Sequence, residues 1–359
     1  MNGVAQPSAT VSKARQMRKS PFLEWCDSEG LKVIDGYGVD DLRTAPLEHW
    51  ERLGGPAAYC HLEGSQGFVG ALVAEIPRGA QLKPMRHLYE EQVLILEGRG
   101  ATTFYGESSG KSLVTEWSAG ALFSPPLNTK HQHFNGSGAE PVRFVAASNM
   151  PLIFNVFNSP DFIFDCPYEF ADRFDASEDY FSAEFKPGEL EDREVNFVPD
   201  VYNVGLDYHP DRGIGFSRLG IALSRNLMVG HIMQIESGTY KKAHRHAAGA
   251  QVIVLSGEGF SLMWPPGGDL VRVDWHKGSL LVPPEGWYHN HFTTSLEPAR
   301  HLALRRGLRG VGPRWLATVS EHEGGHLLEH EDEPPEIRAM YKAELAKKGV
   351  PFRMEPIKR

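Results

Sequence analysis

The chain carries two copies of one sequence pattern, and this internal duplication restricts the possible folds more than any other feature. The segment GAQLKPMRHLYEEQVLILEG, which begins at Gly79, aligns with GTYKKAHRHAAGAQVIVLSG, which begins at Gly238, at a constant offset of 159 residues. Further on, GALFSPPLNTKHQHF aligns with GSLLVPPEGWYHNHF at an offset of 158, and an E-P-x-R element follows in both copies at an offset of 157. Duplicated segments of this length indicate two homologous folding units.

Both copies consist mainly of short runs of β-branched and aliphatic residues, such as QVLILEG and VIVLSG, that end at glycine or proline. This pattern is typical of short strands joined by turns, so we predict an all-β fold with a sandwich or barrel in each copy. Short helices are expected near both ends of the chain and in the aromatic stretch 159–185 between the copies. In chain order, we expect an N-terminal helical arm (1–40), a first domain (41–160), a connector (161–199), a second domain (200–320), and an acidic segment with a C-terminal helix (321–359).

Composition and charge narrow the possible partners. The 359 residues carry a formal net charge of -9, which disfavours nucleic acid because phosphate binding needs a basic surface. No apolar run is long enough to predict a membrane span, and the polar, basic first residues lack the apolar stretch of a secretory signal. Three widely separated cysteines (Cys26, Cys60 and Cys166) favour a reducing compartment, so we predict a cytoplasmic protein. Edge strands and terminal arms make a homodimer or homotetramer the expected assembly.

The second copy contains histidines at the spacing of a metal site. His244 and His246 are two residues apart, so both side chains point to one face if the segment is extended. His289 lies in the second aligned segment, and Gln251 follows closely enough on His246 to re-enter the same site. Three imidazoles suit Fe, Mn, Ni, Cu or Zn, and they leave coordination positions open for a substrate or oxygen.

These residues resemble the two sequence motifs of the cupin superfamily. The pattern G-x5-H-x-H-x4-Q-x5-G runs from Gly238 to Gly257 and looks like the first motif; G-x5-P-x-G-x2-H runs from Gly278 to His289 and looks like the second. Together with the duplication, the resemblance implies a bicupin, with two tandem jelly-roll β-barrels and a metal inside the barrel.

Two positions depart from the cupin pattern: Gln251 stands where many cupins have a ligating Glu, and Thr293 stands where they have Asn. We therefore expect three histidine ligands, with Gln251 as a weak ligand or a neighbour of the site. Neutral ligands leave the full charge on the metal, which favours a small anionic substrate that chelates it. Fe(2+) with O2 is the expected chemistry, and Mn(2+), Ni(2+) and Zn(2+) are alternatives.

The first copy is altered at the same place. Met85 replaces the first histidine, and Asn128 replaces a motif glycine. Other residues of the pattern remain: His87, Glu91, Gln92, His131 and Asn135. Because methionine is a soft ligand that suits Fe(II) poorly, we expect a degenerate metal site in the first domain.

The sequence Trp287-Tyr-His289-Asn-His291 resembles the W-H-x-H element of ring-cleaving dioxygenases that act on gentisate or 1-hydroxy-2-naphthoate. That resemblance implies that His291 contacts the substrate and assists proton transfer; the alternative is a buried core histidine. Trp264 and Trp287 are candidates to line an aromatic pocket, although large apolar residues in strands are more often core. Arg305 is a candidate to bind a substrate carboxylate.

Three hypotheses about function follow. The first is a metal-dependent dioxygenase that cleaves a small anionic aromatic, or another chelating oxygenated substrate, with O2. The second is an O2-independent bicupin lyase, decarboxylase or isomerase, in which the metal acts as a Lewis acid. The third is a non-catalytic cupin binding protein. We expect no built metal site from the separate C-terminal group of His322, His326 and His330, because two glycines interrupt it.

Overall fold

The computed structural model describes residues 19–107, 109–188, 192–246, 249–307 and 314–356. The predicted N-terminal arm therefore lies outside the described residues over 1–18. In the described ranges the fold is mainly β, with short α-helices near both ends, as predicted. Two more short helices follow the first copy; the second lies in the stretch 159–185 where a helix was expected, and the first lies just before it. The helices are α1 (Pro21–Glu29), α2 (Met150–Phe157), α3 (Pro160–Phe164) and α4 (Pro335–Lys348).

Each sequence copy forms a barrel from one large and one small sheet. Up to the end of the first copy the strands are β1 (Val33–Ile34), β2 (Gly38–Val39), β3 (Glu48–Trp50), β4 (Gly55–Cys60), β5 (Gly70–Ile76), β6 (Glu91–Glu97), β7 (Arg99–Gly106), β8 (Lys111–Ser118), β9 (Leu122–Phe123), β10 (Lys130–Asn135) and β11 (Val142–Ser148). The remaining strands are β12 (Lys186–Pro187), β13 (Asp192–Glu194), β14 (Phe197–Val198), β15 (Asp207–Tyr208), β16 (Phe216–Ala222), β17 (Met228–Ile235), β18 (Gln251–Ser256), β19 (Glu258–Trp264), β20 (Val271–His276), β21 (Leu280–Leu281), β22 (Tyr288–Thr293) and β23 (Ala299–Arg306).

The two barrels share one topology and exchange two strands. The large sheet of the first barrel runs β1-β4-β5-β11-β6-β9-β14, with β3 on β4, and its small sheet runs β10-β7-β8. In the second barrel the corresponding orders are β12-β13-β16-β17-β23-β18-β21-β2, with β15 on β16, and β20-β19-β22. Thus β2, which lies between β1 and β3 of the first barrel in sequence, pairs with β21 of the second, and β14 of the connecting segment pairs with β9 of the first. These exchanged strands tie the barrels together through backbone hydrogen bonds.

The large sheets pack against each other and bury both of their faces. On β5, Leu72 belongs to the core of the first barrel, whereas its neighbour Val73 belongs to a second core that lies between the barrels. Leu302 and Ile253 of the second barrel's large sheet belong to the same shared core. Strands that are buried on both faces become apolar at nearly every position. This explains continuous apolar runs such as QVLIL in β6.

Two arginines hold the loops that lead into the barrels. Arg143 donates to the carbonyl oxygens of Leu42 and Ala45, and Arg300 donates to those of Val201 and Val204. The two arginines are the last residues of the repeated E-P-x-R element. The repetition of this element in both copies therefore has a structural reason.

The C-terminal helix covers the outer face of the second barrel's small sheet. Tyr341 of α4 packs against Phe292 of β22, with ring centroids 5.2 Å apart, and its hydroxyl donates to the carbonyl oxygen of Thr293. Gly349 ends the helix in the left-handed conformation (φ 67°), which glycine adopts without strain. In the described ranges, no helix is both long and apolar enough to cross a membrane.

We predict that Leu302→Ala lowers the free energy of unfolding by about 2–5 kcal/mol, because it opens a cavity in the core between the barrels. Leu302 is fully buried there. Leu296→Ala is the matched control, since Leu296 is 69% exposed and its truncation should change stability by no more than about 0.5 kcal/mol. Urea unfolding measures both. Equal effects of the two substitutions would contradict the shared core.

Candidate metal centre

Three histidines of the second barrel converge on one point. His289 in β22 forms an antiparallel bridge with His244, and their backbone N···O distances are 3.0 and 3.3 Å. The ring of His246 lies 4.7 Å from that of His289 between centroids. The ligand nitrogens of the three rings all lie within 4.8 Å of one another. Because metal–imidazole bonds are roughly 2 Å long, small ring rotations would let all three bind one divalent ion.

Burial keeps His244 and His289 in the neutral form that binds metals, while His246 is half-buried. Desolvation, followed by the nearby Lys241 ammonium, lowers the pKa of His244 well below its usual value. Desolvation and His246 do the same to the pKa of His289. The Nδ1 atom of His244 is buried and has no hydrogen-bond partner among the described residues. Two neutral, buried rings, one with an unsatisfied nitrogen, fit a metal site better than a hydrogen-bonded core.

The C-terminal segment supports the extended segment that carries His244. Leu328 N–H donates to the carbonyl oxygen of Ala243, and Arg245 N–H donates to that of His326. The Arg245 side chain also forms an ion pair with Glu321 at 3.3 Å. The segment around His244 is thus held between β22 on one side and the chain after the second barrel on the other.

The structure corrects the predicted position of Gln251. Its amide nitrogen donates to Ser65 Oγ (3.2 Å) and to the carbonyl oxygen of Val69 (3.4 Å), both in the first half of the chain. Because side chains alternate along a strand, Gln251 faces the other barrel, while Ala250 belongs to the interior cluster. Within the described residues the three histidines therefore have an alanine where a fourth, inward ligand would stand.

The first barrel retains a compact group of ligands. His87, Glu91 and His131 also have ligand atoms within 4.8 Å of one another, and all three are buried. Burial by itself raises the pKa of the Glu91 carboxyl, but the two imidazoles lower it well below its usual range. Met85 bridges to His131 in the place of the first histidine. The expected degeneracy thus concerns one position, and the group still offers two imidazoles and a carboxylate.

His291 points into the second barrel, as strand alternation predicts. Its Nδ1 lies 2.7 Å from Ser261 Oγ, which also accepts a hydrogen bond from the indole N–H of Trp275. Its ring centroid is 5.8 Å from that of His289. Burial, followed by His301 and Lys241, lowers the pKa of His291 well below its usual value. Since Ser261 engages Nδ1, Nε2 is the atom that can contact a substrate.

The same three-residue arrangement occurs in the first barrel. His133 Nδ1 lies 2.7 Å from Thr102 Oγ1, which accepts a hydrogen bond from the indole N–H of Trp117. Burial lowers the pKa of His133 to about 3. The arrangement therefore belongs to the duplicated fold, and its presence alone assigns no catalytic role to His291.

The structure places the other three predicted substrate contacts, Trp264, Trp287 and Arg305, in different surroundings. Trp264 lies on the outer face of its strand, stacked on Tyr288 (5.5 Å between centroids) in the cluster that includes α4, so the structure corrects its assignment to a pocket. Trp287 is half-buried in the loop before β22, and its carbonyl oxygen contacts His289 Nδ1 at 3.4 Å. Arg305 lies on β23 and contributes to lowering the pKa of the buried Lys241.

Sequence reasoning missed two residues of this barrel, Lys241 and His301. Both are buried, with exposures of 3% and 1%. In the aligned repeat they stand at the positions of Leu82 and Phe144, both core residues of the first barrel. A comparison of the repeats beyond the motif positions would have found them, because a basic residue in place of a core residue is unusual.

The C-terminal histidines do not gather at one point within the described residues. His322 is exposed and pairs with Asp332 at 2.8 Å, whereas His330 lies 3.4 Å from the buried Glu333. The backbone carbonyl of His326 is the acceptor for Arg245 described above. The three histidines therefore make separate contacts within and around the C-terminal segment.

No known family pattern matches the chain, and no curated protein sequence matches it. Solved structures do. Oxalate decarboxylase from Lactobacillus farciminis is 15% identical with a TM-score of 0.52, over 83% of this chain and 94% of that one. Oxalate decarboxylase from Bacillus subtilis is 14% identical with a TM-score of 0.50, over 90% and 89%. Salicylate 1,2-dioxygenase from Pseudaminobacter salicylatoxidans is 13% identical with a TM-score of 0.49, over 67% and 71%. At these identities the likeness to the two oxalate decarboxylases shows the fold alone, which is two tandem jelly-roll β-barrels.

We predict that His289→Ala removes the metal of the second barrel, because it deletes one of three ligands. Metal per chain, measured by atomic emission after loading with Fe(II) and desalting, should fall for this variant. His276→Ala should change nothing, since His276 is half exposed on β20. His131→Ala reports separately on the first barrel. Full metal retention by His289→Ala would exclude this site.

We predict that Gln251→Ala leaves the metal content unchanged but lowers the free energy of unfolding by about 1–3 kcal/mol, because it leaves a buried carbonyl without its donor. The same two measurements, metal analysis and urea unfolding, separate the possible roles. Loss of metal without loss of stability would restore Gln251 as a ligand.

Proposed function

We propose that this protein is a metal-dependent dioxygenase that cleaves a small anionic aromatic, or another chelating oxygenated substrate, with O2 and Fe(II). The observation that carries the proposal is the convergence of His244, His246 and His289 with no inward carboxylate among the described residues. Three neutral ligands leave the charge of a divalent ion uncompensated and several of its positions open. Fe(II) held by three such ligands could bind a chelating anion and O2 at its open positions, which is the requirement of an oxygenase reaction.

The residues around the histidines support an anionic substrate. Lys241 lies with its ammonium nitrogen 3.5 Å from His244 Nε2, and Arg305 contributes to the same positive field. Opposite charges attract strongly at a buried site because water does not screen them. An anionic group that enters this barrel is therefore drawn toward the metal ligands.

His291 is suited to orient the substrate. Ser261 fixes the ring through Nδ1, so Nε2 faces the interior at a defined position. The lowered pKa makes the ring a weak base that stays neutral near pH 7. We therefore assign His291 the role of a hydrogen-bonding partner of a substrate hydroxyl, which directs the hydroxyl oxygen toward the metal side.

An O2-independent lyase, decarboxylase or isomerase is the second candidate, and the first barrel supplies the observation that favours it. His87, Glu91 and His131 combine imidazoles with a carboxylate, which reduces the net charge of a bound ion and suits Mn(2+) as well as Fe(II). In this case a metal would act as a Lewis acid on an acid substrate. The first barrel would then hold the reaction centre.

We predict that Fe(II)-loaded protein consumes O2 with at least one of salicylate, gentisate and 1-hydroxy-2-naphthoate, and that His291→Asn lowers kcat by about tenfold or more. An oxygen electrode and product spectra measure both. His133→Asn is the matched control from the first barrel and should leave this rate unchanged. Absence of O2 uptake with all three acids, combined with anaerobic turnover by Mn(II)-loaded protein, would favour the second candidate.

Two further expectations go with this proposal. All three cysteines are free and buried, which agrees with the reducing, cytoplasmic environment that we propose. Assembly as a homodimer or homotetramer stays a prediction, which sedimentation would measure.

A further inference from the structure

The interiors of the two barrels differ in polarity. Aligned positions on the inner walls are Leu72, Leu82, Phe144 and Ser148 in the first barrel, and His231, Lys241, His301 and Arg305 in the second. Every change places a basic side chain in the second barrel. Since the first barrel folds with uncharged residues at these positions, the topology itself does not require basic ones.

For Lys241, the contacts within the fold do not explain why a basic side chain is buried there. Its ammonium nitrogen is 4.0 Å from the sulfur of Met233, 3.5 Å from His244 Nε2 and 5.4 Å from the ring centroid of Phe216. Among the described residues, no carboxylate lies within ion-pair distance of it. A buried amine without an anion costs folding free energy, so a partner from outside the chain would stabilise it.

For His301, too, the contacts within the fold do not explain why a polar ring is buried there. Both ring nitrogens are buried, and neither has a hydrogen-bond partner among the described residues. Its ring packs edge-on against Trp275 (4.7 Å between centroids) and against His291 (5.2 Å). In the first barrel the aligned Phe144 also packs against the aligned His133, at 5.4 Å with the rings tilted. The imidazole thus keeps this ring contact and adds two unsatisfied polar atoms.

Lys241 contacts one of the candidate metal ligands, and His301 contacts a neighbour of another. Met233, which Lys241 contacts, is paired with His301 in the register of β17 and β23. On the other side of His301 lies His291, whose ring is the neighbour of His289. A molecule that enters among the three metal-binding histidines therefore meets Lys241 near His244 and His301 beyond His291.

We propose that Lys241 and His301 are substrate-binding residues that select an acid with a second oxygen function. Lys241 receives the acid group beside His244, and His301 hydrogen-bonds a hydroxyl or carboxyl oxygen at the far end of the molecule. The substrate class is thus a hydroxy acid or a diacid, not a simple monoacid. This inference rests on the proposed function, because it assumes that the substrate enters the barrel with the three histidines.

The first barrel supplies the test variants, Lys241→Leu and His301→Phe, which restore the residues at the aligned positions. Calorimetry on Zn(II)-loaded full-length protein would measure binding of benzoate, 3-hydroxybenzoate, isophthalate and phenol without turnover. Lys241→Leu should weaken all three acids by about tenfold or more and leave phenol unchanged. His301→Phe should weaken 3-hydroxybenzoate and isophthalate by about tenfold and benzoate by less than about twofold. Lys111→Leu, an exposed change in the first barrel, is the control.

Thermal unfolding of the unliganded variants gives a second readout. If the two residues serve a ligand, their replacement by apolar side chains of the duplicated fold should raise or preserve the melting temperature while affinity falls. Lower melting temperatures with unchanged affinities would overturn the proposal and assign both residues to the fold. Failure of all the acids to bind the wild-type protein would overturn it too. Binding as proposed, without O2 uptake by the Fe(II)-loaded protein, would instead contradict only the proposed dioxygenase activity.

Discussion

The contact between the two large sheets decides which side chains can reach the interior of each barrel. Each large sheet has one face toward its own barrel and one toward the other barrel, and both faces are buried. Because strand side chains alternate, a shift of one residue would exchange the two faces completely. The packing of Val73, Ile253 and Leu302 between the barrels therefore fixes the register of the strands. That register in turn selects the residues that face the metal site.

The position of Gln251 shows this constraint at one residue. Gln92 and Gln251 are equivalent in the duplication, and each donates to a backbone carbonyl of the opposite barrel: Gln92 to that of Met228, Gln251 to that of Val69. Both amides thus belong to the contact between the barrels. The inward neighbours are Glu91 in one barrel and Ala250 in the other. The two sites differ by a full negative charge because of this one pair of residues.

Much of the fold and of the candidate site could be predicted from the sequence, and two of the exceptions, Gln251 and Trp264, share one cause. The repeat predicted two β-barrels, and the motif spacing identified His244, His246 and His289, because both signals depend on local order along the chain. Whether Gln251 or Ala250 faces inward depends on where β18 begins, and a shift of one residue reverses the answer. The misassignment of Trp264 has the same origin, since its strand neighbour Met263 is the residue paired with His289.

Tertiary packing accounts for the rest of the site. His301 lies outside both motifs, and the pairing of β17 with β23 places it opposite Met233, which Lys241 contacts. No spacing rule within one strand predicts that contact. The C-terminal segment was expected to be an acidic region before a helix, yet it pairs with the backbone on both sides of His244. Its contribution depends on long-range contacts that a single sequence does not display.

The C-terminal segment also explains how the second barrel tolerates a basic interior. Along β22, His289 and His291 point inward, whereas Tyr288 and Phe292 point outward to Glu321 and Tyr341 of the C-terminal segment. Burial of a large aromatic side chain such as Phe292 contributes about 1.5–3 kcal/mol. The outward residues thus stabilise β22 independently of the residues that point inward. Functional and stabilising side chains alternate on one strand, so the inner wall can change its chemistry while the outer face preserves the fold.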